Sequence, residues 1–432
     1  MSLADLDRAW ARILARTPLD RDRPAVVTAR EMREWTGREP RLLAKMDSSA
    51  EVPRPLREAG RFLFPVSGHA YALIRGEGYH RLEPPAPPVA RAWGPAARYP
   101  TLALGLGESR AVDTALHTGM IEAAFDLPER PALTLRGRRF APPFSFRAGA
   151  HAVEVGRGVQ FELDAGFDAA GTLVLLEAKV GQPEDFWVRQ LFVPYRAWTA
   201  WLPGVEVRPG ILVFHDATGE YRFWRYRQRD PDVHGDLELV RASTFVLAAG
   251  APLALGEMLA RVPERRLPPA LEVPQADRLE RVLEVPTLLS AGRAGAADVA
   301  EALGLGPRQG AYYLAAARSL GLVEVDRPRP TPEGRALATA GPGRREALAA
   351  AALLGLPVLR EAIRLARGRP DRILSRDLVR EVCARRGASA PGATTVERRA
   401  RTAAAYLQWL SLRVEGLSPA GDGKAWVVGG TA

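Results

Sequence analysis

The sequence predicts an α/β (α+β) fold with a strand-rich centre, an N-terminal α+β module before it and small helical modules after it. Three observations lead there. Phe161–Arg196 (FELDAGFDAAGTLVLLEAKVGQPEDFWVRQLFVPYR) reads as two strands and a helix: Phe161–Phe167 alternates apolar and acidic residues, and Thr172–Val180 is an apolar run broken only by Glu177 and Lys179. Proline-rich stretches at Glu83–Pro100 and Pro252–Pro274 separate segments of different character. At 432 residues the chain exceeds one ordinary core, so two to four domains are expected.

The N-terminal module spans residues 1–95. Leu3–Ala15 forms an amphipathic helix, and Thr28 with Glu31 has capping-box spacing for a helix over Ala29–Thr36. Glu39–Asp47 leads into a further helix, and Arg61–Val66 pairs with His69–Arg75 around Ser67-Gly68. Such a module suits DNA reading, or equally a dimer or domain interface. The second module, 96–250, opens on one helix from Glu108 to Phe125. It continues through PALTLRGRRFAPPFSF, in which Arg136, Arg138 and Arg139 stand among Phe140, Phe144 and Phe146. Basic residues among aromatics suit phosphate contact. After Phe161–Arg196, Gly210–His215 and Glu220–Gln228 pair around Ala217-Thr218-Gly219.

Beyond residue 270 the pattern turns helical. Gln275–Val285 ends at Pro286, and Ala296–Leu303 and Arg308–Leu320 supply two more helices. A hairpin from Leu322 closes with Thr331–Arg335, which together describes a winged helix over 271–340, with Arg308 and Gln309 on its exposed face. Residues 341–418 form a basic helix-turn-helix-like domain, and 419–432 a tail. On its last helix Arg398, Arg399 and Arg401 fall on the polar side, for contact with DNA or with protein, opposite Val396, Ala400, Ala403, Leu407 and Leu410.

The net charge of +10 favours a polyanionic partner. Leu271–Ala432 carries 24 Lys+Arg against 17 Asp+Glu, or +7 of that total. One cysteine, Cys383, excludes a disulfide framework and a multi-thiolate zinc site. No run approaches eighteen apolar residues and no basic-then-apolar leader opens the chain, so a cytoplasmic protein without a membrane span is expected. Of 60 basic residues only Lys45, Lys179 and Lys424 are lysines. A lysine kept in an apolar strand of so arginine-rich a chain suggests work that guanidinium cannot do, because lysine is a compact charge with a tunable pKa.

The spacing carries the chemistry. Asp164 precedes Glu177 by thirteen residues, Lys179 follows two later and Gln190 eleven after that. Alternation along a strand puts Glu162 with Asp164, and Glu177 with Lys179, on shared faces. Two carboxylates, with the carbonyl of Ala178 as a third oxygen, form a hard-oxygen site for magnesium, which keeps several of its waters. Glu162 could assist, as could a carboxylate of the preceding helix, Glu108 or Asp113. Lys179 would orient the attacking water and stabilise charge building on a phosphate.

ELDAGFD, LLEAKVG and RQLFVPYR resemble the motifs of the PD-(D/E)XK nuclease superfamily, and specifically type II restriction endonuclease-like proteins. EPRLLAKMD (39–47), GLGESRAVDTALHTGMIEAAF (105–125) and GRRFAPPFSF (137–146) extend the resemblance over roughly residues 1–250. It implies a restriction-endonuclease-like mixed central sheet flanked by helices and cleavage of double-stranded DNA. It implies magnesium as cofactor (manganese being able to replace it), and Asp164, Glu177, Lys179 and Gln190 as the catalytic set. Two positions depart from the pattern: Leu163 replaces the proline before the first aspartate, and Tyr195 lies one residue too far from Gln190 for the exonuclease-like branch. The expected partners are double-stranded DNA, a second copy of the chain, and a cognate DNA methyltransferase encoded nearby. The rival readings are a structure-specific or repair nuclease, and a DNA-binding regulator built on an inactive nuclease fold.

Overall fold

The computed structural model describes residues 2–20, 23–248, 253–293, 295–386, 392–420 and 424–429. Pro252, at the start of the second proline-rich stretch, and 421–423 and 430–432 of the tail lie outside the described residues. The architecture is mixed α/β, with sixteen α-helices among the described residues and a seven-stranded sheet. In chain order its strands are β1 (Pro88–Ala92), β2 (Ala132–Phe140), β3 (Gln160–Ala169), β4 (Thr172–Val180), β5 (Glu206–His215), β6 (Glu220–Gln228) and β7 (Leu237–Ala248). They lie in the order β1-β7-β6-β5-β4-β3-β2. The β1–β7 pairing is parallel, whereas β2–β3 and β3–β4 are antiparallel. No described helix is long and apolar enough to cross a membrane.

The chain groups into two compact units, one of residues 1–86, 119–213 and 222–243, the other of 87–118, 214–221 and 244–432. This corrects the linear boundaries at 95 and 250, since 1–86 packs with the Phe161–Arg196 stretch and 87–118 with the C-terminal helices. Prolines mark where a chain is stiff, which is a different property from where its contacts end.

In the first unit the local signals held. Thr28 Oγ1 accepts the Glu31 N–H at 3.2 Å and the Glu31 carboxylate accepts the Thr28 N–H at 2.7 Å, closing the capping box. The three-stranded sheet runs Ala25–Thr28, Ala70–Arg75, Arg61–Ser67, and covers a core of Trp10, Ile13, Val27, Met32 and Leu43. The single helix expected over Glu108–Phe125 is two, Glu108–His117 and Met120–Phe125. Gly119 between them takes φ +73°, a left-handed value that glycine adopts without steric cost.

His234 is buried among the rings of Phe62, Phe64, Phe146 and Phe192, with centroids 5.0–5.8 Å away. Its Nε2 is buried without a hydrogen-bond partner among the described residues, and burial pulls its pKa down to about 3. The unfolded chain therefore takes up a proton near pH 6.5 that the folded chain refuses until about pH 3. Between those values stability falls with falling pH by about 1.4 kcal/mol per unit. Chemical denaturation of wild type and His234→Leu from pH 7 to pH 4 should show that extra slope in the wild type only. Parallel slopes would remove His234 as its source.

In the second unit one hydrophobic core joins Leu279, Val282, Leu314, Leu353, Leu359 and Trp409. Four expectations need correction here. Pro286 does not stop its helix, which runs Leu279–Ser290 through it. The cost of a missing N–H, ~3 kcal/mol, is offset by burial of Leu283, Val285 and Leu289 on the same helix. Thr331–Arg335 does not close a hairpin, because Thr331 caps a helix over Pro332–Thr339 through its hydroxyl and the Gly334 N–H, 3.0 Å. The wing is thereby reduced to a single bridge, Val323↔Pro330. Arg399 is not on a polar face but buried, 7% exposed, since the Ala393–Ser411 helix packs against four others. The tail forms structure as well: Ala425–Val428 pairs with both Leu417–Ala420 and Ile373–Ser375 and buries Trp426.

Candidate active site

The site lies where the β3–β4 ladder ends. Register runs from Thr172↔Ala169 to Leu176↔Ala165, and the next residues along the two strands are Glu177 and Asp164. There a side chain takes over from backbone pairing: the Ala178 N–H donates to Asp164 Oδ2 at 2.8 Å. β4 is an interior strand, which is why Thr172–Ala178 is buried throughout.

Glu177 is 7% exposed, and its Oε1 accepts from Lys179 Nζ at 2.6 Å and from Gln190 Nε2 at 2.5 Å. Lys179 is itself largely buried, its side chain 18% exposed. Gln190 comes from the Arg189–Trp201 helix, and its Oε1 is buried without a hydrogen-bond partner among the described residues. Burial raises the Asp164 carboxyl above the ordinary carboxylate range. The Ala178 N–H and Lys179 pull it back, Glu162 raises it further and Arg136 lowers it. The four residues picked from spacing thus meet in one place, two strands and one helix each contributing.

The accessory residues divide. Glu162 lies opposite Arg138 in the β2–β3 register, and the two exposed side chains pair at 3.0 Å, so its carboxylate serves Arg138. Arg139 stands over the Trp198 ring at 5.9 Å. With the exposed Arg136 and the 64%-exposed ring of Phe140, these residues make β2 a basic, aromatic edge strand. Glu108 and Asp113 lie on the Glu108–His117 helix, in the second unit. There Arg308 and Gln309 are exposed, although the Gln309 carboxamide accepts the Gly306 N–H at 3.0 Å. Arg398 lies over Tyr312 at 5.4 Å and Arg401 pairs with Asp277 at 3.3 Å.

Arg189 was missed by spacing. Its Nη2 donates to the Gln160 carbonyl at 2.7 Å, its guanidinium lies 4.9 Å over Trp187, and burial lowers its pKa to about 10 against the attraction of Tyr71, Asp47 and Glu177. Tyr71 and Asp47 belong to the N-terminal 86 residues, so that module borders the site. Only adjacency to Gln190 marked Arg189 in the sequence.

The donor set fits a hard divalent cation. Two carboxylates and a backbone carbonyl are oxygen ligands of the kind magnesium takes, and the raised Asp164 carboxyl would be relieved by a neighbouring positive charge. Among the described residues no group of three or more His, Cys, Asp or Glu is placed to hold a metal ion, at this site or elsewhere.

Three family models match the chain, each described as a domain of unknown function: DUF6996 over residues 7–73, DUF6997 over 76–246 and DUF7226 over 281–415. Asp164, Glu177, Lys179 and Gln190 all fall within the second. No curated protein and no solved structure matches the chain.

Proposed function

We propose that the protein is a magnesium-dependent endonuclease of double-stranded DNA with a restriction-endonuclease-like core. The reading rests on one observation: Glu177 Oε1 is held at once by Lys179 Nζ and Gln190 Nε2, beside a half-buried Asp164 on the adjoining strand. Asp164, Glu177 and the Ala178 carbonyl would hold the metal, which supplies an acidified water and charge neutralisation at the phosphate. Lys179 keeps an ammonium where negative charge develops in the transition state. Gln190 fixes the orientation of Glu177. The β2 arginines Arg136, Arg138 and Arg139 would grip the DNA backbone, with Arg308, Gln309, Arg398 and Arg401 of the C-terminal helices as further contacts. Arg399, being buried, is left out. A restriction enzyme of this kind would act as a homodimer, because cutting both strands takes two sites, and a cognate DNA methyltransferase would be encoded beside it.

Purified protein incubated with plasmids of varied sequence and magnesium should give discrete fragments, manganese should replace magnesium, and Asp164→Asn should lower the rate by about 10² or more. Failure of the folded wild type to cut any of them, or unchanged cutting by Asp164→Asn, would defeat the proposal. Branch-dependent products in place of discrete bands would point to a structure-specific nuclease.

A further inference from the structure

Phe140, at the end of β2, is 64% exposed, more than any other large apolar side chain among the described residues. The next two phenylalanines of the same segment differ. Phe144 and Phe146 pack edge-on to Phe192, with ring centroids 6.2 and 5.4 Å away. Single exposed apolar residues are ordinary on protein surfaces, so exposure alone assigns nothing. The surroundings of this one do. β2 reads ALTLRGRRF, three arginines and no acid, and Arg136, Arg138 and Arg139 are all exposed beside the ring.

The face on which the ring stands is fixed by its neighbours. Across the strand pair Arg138 donates to Glu162 and Thr134 Oγ1 donates to Asp168, so the even-numbered residues of β2 and β3 share one side of the sheet. Leu135 and Leu163 pack on the other side with Trp198 of the Arg189–Trp201 helix. Phe140 lies opposite Gln160 in the register, and Asp164 is four residues farther along β3, roughly 13 Å at ~3.3 Å per residue. The ring therefore stands on the side that carries Asp164, Arg136 and Arg138. Its backbone is anchored: the buried Ala141 donates its N–H to the Val159 carbonyl at 2.8 Å, and Pro142-Pro143 follow, each with φ locked by its own ring.

We propose that Phe140 stacks on a base of the bound DNA, entering as a wedge about four base steps from the cut at ~3.4 Å per step. The inference rests on the nuclease reading, because Asp164 marks the cut. Arginines beside the ring hold phosphates, which position the duplex, whereas an apolar ring gains nothing from phosphate and is left to the bases. Unstacking a step costs free energy, least where stacking is already weak, as at a pyrimidine–purine step or a mismatch. Phe140 thus sets a preference for deformable DNA beside the cut, at a position where no hydrogen bond to a base is needed.

The test measures binding of the full chain to a mixed-sequence duplex, fully paired or with 2-aminopurine in one central mismatch, in EDTA so that nothing is cut. Wild type should bind the mismatched duplex about tenfold more tightly than the paired one, and raise the 2-aminopurine fluorescence as that base leaves its stack. Phe140→Ala should lose both effects and Phe140→Trp should keep them. The slope of log affinity against log salt should stay unchanged in both variants, since no phosphate contact is removed. Circular dichroism checks folding, which substitution at so exposed a position should leave intact. Equal preference in wild type and Phe140→Ala, or a flattened salt slope in the alanine variant, would overturn the wedge and leave the nuclease reading standing. A Phe140→Ala protein that turns from dimer to monomer in sedimentation would assign the ring to a second copy of the chain instead. Folded wild type that binds neither duplex would overturn both.

Discussion

Lys179→Ala is expected to lower the single-turnover rate of DNA cleavage by about two to three orders of magnitude, while gel-shift affinity measured without magnesium stays within about threefold. The separation follows from position. The Lys179 ammonium is 2.6 Å from Glu177 Oε1 and its side chain is 18% exposed, so it belongs to the buried end of β4 and not to the exposed arginines of β2. Lys179→Arg should not restore the rate. A guanidinium is larger, planar and always charged, and it cannot reproduce a compact ammonium against one carboxylate oxygen that Gln190 already shares. The substitution is informative because the chain uses arginine at 57 of its 60 basic positions. Removing the lysine also leaves Glu177 with less compensation, so thermal melting must accompany the kinetics. A folded Lys179→Ala protein that cuts at the wild-type rate would exclude Lys179 from catalysis, and a loss of DNA binding in step with rate would recast it as an anchor.

The same residues show what a sequence discloses. Asp164, Glu177 and Lys179 were legible because a strand has a fixed period of two, so a polar residue interrupting an apolar run is placed by arithmetic. The Thr28–Glu31 capping box was legible for a similar reason, since all its partners lie within four residues. Arg189 was not, because its surroundings include Tyr71 and Asp47, which only tertiary folding brings near. Pro286 misled through a sound local rule that burial of its neighbours overrides. Arg399 misled through the helical wheel, which supposes one buried face, whereas the Ala393–Ser411 helix packs against Leu279–Ser290, Pro342–Leu354, Pro357–Arg367 and Arg376–Arg386. Amphipathic pattern counts apolar residues and cannot count the neighbours that will surround them.

The largest stability effect should come from the second unit's buried ion pair, Glu284 with Arg345. Arg345 Nη2 donates to Glu284 Oε1 at 2.7 Å, and the guanidinium also donates to the carbonyls of Leu283 and Leu337, each at 3.0 Å. Both side chains are 7% exposed. Arg345→Met leaves the buried carboxylate without its ion-pair partner and takes one donor from each of two carbonyls, and should cost about 3–5 kcal/mol, as should Glu284→Leu. The double variant removes both charges and should recover most of the loss, because desolvating the pair costs about as much as its attraction returns. The pH dependence adds a second signature. Burial raises the Glu284 carboxyl, with Arg345 opposing that rise, so deleting Arg345 should raise it further. An acid whose folded pKa exceeds its unfolded one binds its proton first in the folded chain, so stability is regained as pH falls through the folded value and the penalty is full above it. The Arg345→Met deficit should therefore shrink from pH 8 to pH 5 in urea denaturation, whereas the double variant, which has no carboxylate at this position, should show no pH dependence of this origin. Additive losses in the double variant, or a deficit independent of pH, would place the energy of this core in its apolar packing and leave the ion pair as a passenger.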